Sequence, residues 1–240
     1  ARRAVESGLL REAATQGRPL QAAIRALRRH VTQEQAAIEE ADPATRASRT
    51  HTPSRHLTTP TISAMSPIRL FYALWPDTPL ANTLSTWATQ AQPHSRGRAM
   101  RTETLHMTLA FLGSVEKEIA DELIDATPYH RLQPGTVTLD RYGVFARPRI
   151  LWAGPAQTPA SLQASHDGLW LWLSAFGFVP PAQPFRPHVT LLRNIERNDP
   201  PADAPPPLTW HYDRMVLVAS ESTDGGSRYR VVARSKPQPG

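Results

Sequence analysis

Two stretches of the sequence repeat one pattern: LHMTLAFLG at 105–113 and PHVTLLR at 187–193 each place a histidine two residues before a threonine and follow the threonine with leucine. An unperturbed imidazole titrates near pKa ~6.5, so two of them facing one space can share acid/base work, the neutral one taking a proton while the charged one gives one. That division of labour suits displacement at phosphorus, where the attacking water loses a proton on one side and the leaving oxygen gains one on the other. Two hydroxyls can hold the non-bridging oxygens, and no metal or cofactor is required. His106 and His188 are therefore candidate catalytic residues, with Thr108 and Thr190 as candidate phosphate holders. Arg193 closes the second motif and Arg186 stands two residues ahead of it in FRPH. Planar guanidinium groups recognise phosphate, so both are candidate substrate-binding residues, although Arg186 reads equally well as a solvated surface side chain.

The pattern has to be weighed against chance. With nine histidines in 240 residues about one accidental His-x-Thr is expected, and the sequence has four. His30-Val31-Thr32 falls on an amphipathic helical pattern, where positions i and i+2 point roughly 200° apart and cannot converge. His56-Leu57-Thr58 falls in a Ser/Thr/Pro/Arg tract with nothing to hold it in place. Only the copies at 106 and 188 sit in strand-like apolar runs, where i and i+2 share a face and Met107, Leu109 and Phe111 can bury the other. A lone histidine at a strand end is as often structural as catalytic, but two copies at corresponding places in two similar halves are hard to explain by packing alone.

The elements that must position these residues follow from composition and spacing. Residues 1–64 carry ten Arg against six acidic residues, and the apolar series Leu20, Ile24, Leu27, Val31 and Ile38 predicts a helix over about 18–41, followed by a disordered linker at 43–64. The folded catalytic domain is expected from Met65 to 240. Its order is α+β: a strand at 68–75; a helix capped by Asp77; a motif strand at 104–112; a helix capped by Ser114; strands TVTLDRYGVF and RILWAG; a helix capped by Thr158 and stopped by Gly177; the second motif strand; a Pro-rich loop at 199–207; and a closing strand pair.

Bulk composition bounds the rest. A net charge of +6 and a pI near 10.3 suit a polyanionic partner, but residues 65–240 account for only +2, so local arginines rather than a global field must carry any affinity for nucleic acid. There is no cysteine, hence no disulfide and no thiolate metal ligand. No apolar run approaches the ~20 residues that span a bilayer, so a cytoplasmic monomer without membrane association is expected.

With these stretches in order, the sequence resembles the two-histidine phosphoesterases, specifically the bacterial and archaeal RNA 2′,3′-cyclic phosphodiesterases also called tRNA 2′-5′ ligases. FYALWP, LHMTLAFLG, YGVFARPRILWAG, FRPHVTLLR and SESTDGGSRYRVV carry the resemblance over about 68–234. It implies a bilobal fold, two antiparallel sheets around a central cleft with helices outside. It further implies hydrolysis of a terminal RNA 2′,3′-cyclic phosphate to a 2′-phosphate, with reversible 2′-5′ joining under some conditions. By the same resemblance His106 is the proton donor to the leaving oxygen, His188 the acceptor from water, Thr108 and Thr190 the phosphate holders, and Arg193 a substrate-binding residue. AMRTETLH carries no aromatic residue before the first motif, where many relatives have one. Two alternatives stay open at this point: a small cyclic nucleotide or ADP-ribose cyclic phosphate as substrate, or a non-catalytic module that binds RNA ends.

Overall fold

The computed structural model describes residues 67–223 and 226–237. The helix expected at 18–41, the linker after it, the boundary at Met65 and both decoy motifs at His30 and His56 lie outside the described residues. Within them the architecture is α+β, with ten strands, β1 (Ile68–Leu74), β2 (Arg98–Ala99), β3 (Met107–Val115), β4 (Gly135–Leu139), β5 (Arg141–Phe145), β6 (Ile150–Gly154), β7 (Val189–Arg193), β8 (Leu208–Tyr212), β9 (Val216–Thr223) and β10 (Gly226–Arg234). Three helices complete it, α1 (Thr78–Ser95), α2 (Lys117–Ala126) and α3 (Ala160–Leu173).

All the strand pairings are antiparallel. Eight strands form one sheet in the order β10-β9-β1-β3-β7-β6-β5, with β2 also paired to β7, and β4-β8 form a separate pair. The two halves of the large sheet meet at one rung, Met107 opposite Val189, and both side chains are fully buried. The strands then diverge, β3 continuing along β1 and β7 along β2 and β6.

The helices cover one face. Asp77 caps α1 by accepting from the Leu80 N–H at 3.0 Å, and Leu80, Leu84, Trp87, Ala88 and Ala91 recur at helical spacing to bury one stripe. Trp87 of α1 meets Tyr142 of β5 edge-on at 6.1 Å. Across the seam Tyr72 of β1 donates to or accepts from Thr127, just after α2, at 2.7 Å, and meets Trp172 of α3 at 6.0 Å. Tyr72 and Tyr142 both point away from the motif face, as their registers one residue from Ala73 and Gly143 require.

The structure departs from the sequence reading at several places. Ser114 does not cap α2: Gly113 takes a left-handed φ of 73°, β3 runs on through Ser114 to Val115, and Glu116 occupies the cap position without a side-chain bond. Thr158 does not cap α3, which starts after Pro159 without a side-chain cap. Gly177 does stop the following turn, in the left-handed region at φ 87°. TVTLDRYGVF divides at Asp140, because β4 pairs with β8 while β5 pairs with β6, and the Asp140 carboxylate accepts from the Ala156 N–H at 2.6 Å to hold the corner. Strand β8 has no counterpart in the sequence reading; its apolar positions Trp210 and Tyr212 are buried, but the preceding Pro-rich tract masks its start. Phe111 is 53% exposed rather than buried, and a bulge in β3 accounts for it.

Candidate active site

Neither motif histidine lies inside a strand; each precedes one by a single residue. Both are fixed in the same way. The His106 Nδ1–H donates to the Thr104 carbonyl at 2.7 Å, and the His188 Nδ1–H donates to the Arg186 carbonyl at 2.6 Å. A carbonyl only accepts, so the proton of each neutral ring sits on Nδ1 and Nε2 is left with a free lone pair. Different local devices produce this common geometry. A 3-10 turn at Thr102–Thr104 presents the first carbonyl, while Pro187 restricts Arg186 to extended backbone and so aims the second.

The seam then brings the motifs together. Residues directly opposite in an antiparallel pair share a face, so extending the Met107–Val189 rung by one residue each way sets His106 across from Thr190 and Thr108 across from His188. Each histidine is thus completed by the other half's threonine.

The leucine after each threonine is a bulge. Ala73 and Tyr72 of β1 face Thr108 and Ala110, which leaves Leu109 unpaired; Trp152 and Leu151 of β6 face Thr190 and Leu192, which leaves Leu191 unpaired. An extra residue reverses the alternation beyond it. Thr190 and Arg193, three apart, therefore share a face, because their partners Trp152 and Ile150 are two apart. By the same count Thr108 and Phe111 share a face, since they oppose Ala73 and Phe71. Arg193 and Phe111 thus hold corresponding positions in the two halves. The sequence reading placed Arg193 beside Thr190 and missed Phe111.

Aromatic rings enclose both imidazoles. His106 stacks on Trp75 at 5.4 Å and 7°, with Phe71 at 4.8 Å and Tyr229 edge-on at 5.3 Å. His188 meets Phe145 edge-on at 5.1 Å and Trp152 at 6.0 Å. The Trp152 indole lies over Gly143: a Cβ added there would fall 2.1 Å from its ring. Loss of water contact lowers His106 to about 4, with the positive charges of Arg193 and His188 acting in the same direction and the bond to Thr104 opposing. His188 is lowered as well, chiefly by burial, with a further contribution from Arg193. The positive charge of Arg193 therefore acts on both histidines.

Beside the pair a cavity of about 660 Å³ opens, lined by Thr108, Phe111, Phe145, Phe185, Arg186 and His188 among others. The exposed Arg186 thus sits at the cavity wall as well as supplying the carbonyl that orients His188. His166 of α3 also reaches the cavity, stacked on Phe185 at 4.0 Å and 14°. Its Nε2 accepts from the Trp170 indole N–H at 3.1 Å and its Nδ1–H donates to Asp167 at 2.8 Å. Nothing in the sequence separates His166 from an ordinary core histidine.

Comparison with known proteins agrees with this geometry. The family model described as LigT like Phosphoesterase matches residues 74–152. An RNA 2′,3′-cyclic phosphodiesterase of Escherichia coli strain K12 is 34% identical over 173 residues, which is 70% of this chain and 96% of that protein. The chain belongs to the LigT-like phosphoesterase family. The RNA 2′,3′-cyclic phosphodiesterase of Thermus thermophilus is 29% identical over 180 residues, covering 70% of this chain and 89% of that one. Among solved structures, apo E. coli LigT superposes with a TM-score of 0.61 at 31% identity over 71% of this chain and 97% of its own. E. coli LigT complexed with 3′-AMP gives a TM-score of 0.60 at 31% identity over 70% and 97%.

Proposed function

We propose that this protein hydrolyses the 2′,3′-cyclic phosphate at an RNA end to a 2′-phosphate by paired-histidine catalysis. The observation that carries the reading is the arrangement of two Nδ1-anchored imidazoles, two threonines and Arg193 on one face of a single seam. The names of the relatives supply the substrate class. The His188 Nε2 takes a proton from water as its oxygen attacks phosphorus. The bond from phosphorus to O3′ breaks, and O3′ takes the proton carried by the His106 Nε2. Which histidine gives and which takes rests on the family resemblance. Thr108, Thr190 and Arg193 hold the non-bridging oxygens, whose charge grows in the transition state. Arg186 adds positive charge at the cavity wall. The exposed ring of Phe111, which lines the cavity together with Thr108 and His188, offers a flat face to the terminal base. With the 5′-hydroxyl of a second RNA in place of water, the same displacement forms a 2′-5′ bond, and its reversal cleaves one.

The test is incubation of the purified protein with a short RNA ending in 2′,3′-cyclic phosphate and determination of where the product phosphate lies. A 2′-phosphate is expected. A 3′-phosphate would overturn the reading. Because a side chain carries every proton, excess EDTA is expected to leave the rate nearly unchanged. Loss with chelator, restored by a divalent ion, would overturn the two-histidine account. A small cyclic nucleotide as the better substrate, or RNA binding without turnover, would favour the alternatives.

A further inference from the structure

Arg193 has a second arginine as its cross-strand neighbour. Arg98 of β2 stands directly opposite it in the register, so the two side chains leave the sheet on the same face. Gly97 makes this approach possible: a Cβ there would meet the Arg193 carbonyl at 3.0 Å and Ile195 at 3.1 Å. Like charges directly opposite destabilise a strand pair. Nearby arginines are compensated, Arg96 by Glu196 at 3.7 Å and Arg101 by Glu103 at 3.4 Å. Arg98 is exposed, and among the described residues neither it nor Arg193 pairs with a carboxylate. The other neighbour of Arg193, Ile150 on β6, is apolar and buried, so the basic character runs in one direction only, toward β2.

We infer that Arg98 binds a second phosphate, the phosphodiester joining the cyclic-phosphate nucleotide to the one before it in the RNA. The inference rests on the function proposed above and refines its substrate from a terminal nucleotide to an oligonucleotide end. Directly opposed residues have Cβ atoms about 5 Å apart, so two long guanidinium side chains starting there can each hold one of two successive phosphates. Arg193 holds the one that reacts. Arg98 holds its neighbour, which undergoes no chemistry, so its contribution is to binding. The uncompensated pair also gains when a dianionic stretch of backbone lies across it, because the mutual repulsion is then screened by bound charge.

The test compares two substrates, adenosine 2′,3′-cyclic phosphate and a short oligoadenylate ending in 2′,3′-cyclic phosphate, with the wild type, Arg98→Ala and Arg98→Lys. The wild type is expected to show a lower KM for the oligonucleotide. In Arg98→Ala that preference shrinks several-fold through KM, with kcat on the oligonucleotide retained, and Arg98→Lys restores most of it. The slope of log affinity against log salt for the single-stranded oligonucleotide falls by about 0.7 in Arg98→Ala, the value for one lost phosphate contact. An equal loss on both substrates would overturn the inference, since Arg98 would then act through Arg193 or the fold. An unchanged preference and salt slope would overturn it too. Wild-type protein that turns over neither substrate would count against the proposed function itself.

Discussion

At the scale of single residues, the site is set by who holds each proton before substrate arrives. Both imidazoles are tied at Nδ1, and the fall of His106 to about 4 keeps that ring neutral near pH 7 in the free protein. A general acid must nevertheless carry a proton. An anionic phosphate bound against Arg193 offsets the guanidinium charge that lowers both rings and favours the imidazolium form. The alkaline limb of the kcat profile, which reports the complex, is therefore expected at higher pH than that of kcat/KM, which reports the free enzyme. Arg193→Gln removes a positive neighbour, so the titration of both histidines followed by NMR in the free protein is expected to move up. An unmoved His106 would take Arg193 out of the site. Replacing either His106 or His188 with alanine is expected to lower turnover by roughly two to four orders of magnitude with the fold intact, the usual scale of a lost acid or base. A variant keeping more than about a third of the rate would remove that residue from the mechanism. The motif histidines and threonines and Arg193 could be singled out as candidates from the sequence because these residue types at fixed spacing have few joint uses, whereas Arg186 read equally well as a solvated surface side chain. The rings around them were not legible there, since Trp75, Tyr229, Phe145 and Trp152 come from four separate segments and meet the imidazoles only through sheet order.

At the scale of elements, the bulges at Leu109 and Leu191 convert a strand pattern into a site. In an unbroken strand Arg193 would project from the face opposite Thr190, and Phe111 from the face opposite Thr108. A bulge residue that is itself a buried leucine looks like any other apolar strand position, so alternation predicted a buried Phe111 and could not anticipate its exposure. The missed caps have a related cause. Ser114 and Thr158 are good capping types, but β3 extends through the first and Pro159 begins the turn after the second, so tertiary pairing overrode local preference. On β5 the decisive feature is the absence of a side chain at Gly143. Gly143→Ala would drive a methyl group into the Trp152 indole, which is 8% exposed and has little room to retreat. The variant is expected to lose about 1–3 kcal/mol of stability, read from the denaturation midpoint, and to turn over more slowly because Trp152 backs His188. An unchanged midpoint would mean that the indole is free to move.

At the scale of the whole molecule, every residue assigned to the site lies between Phe71 and Tyr229. The segment aligned with the E. coli relative accounts for 96% of that protein but only 70% of this chain. Deleting residues 1–64 is accordingly expected to preserve the turnover number on a short cyclic-phosphate substrate. Salt-sensitive affinity for long RNA is expected to weaken, because ten arginines go with the segment. A tenfold fall in turnover by a normally folded truncation would mean that the segment contributes to catalysis. Sheet order has a further consequence, for the order of synthesis. Strands β1 and β3, with the first motif, leave the ribosome early, but β1 acquires its other neighbour only when β9 emerges, after every other strand except β10. Until then one edge of an apolar central strand stays unpaired, a template for unwanted association. A nascent chain that stops short of Val216 would carry both motifs and Arg193 yet lack a closed first half, so its fate would be decided by chaperones and proteases rather than by chemistry at phosphorus.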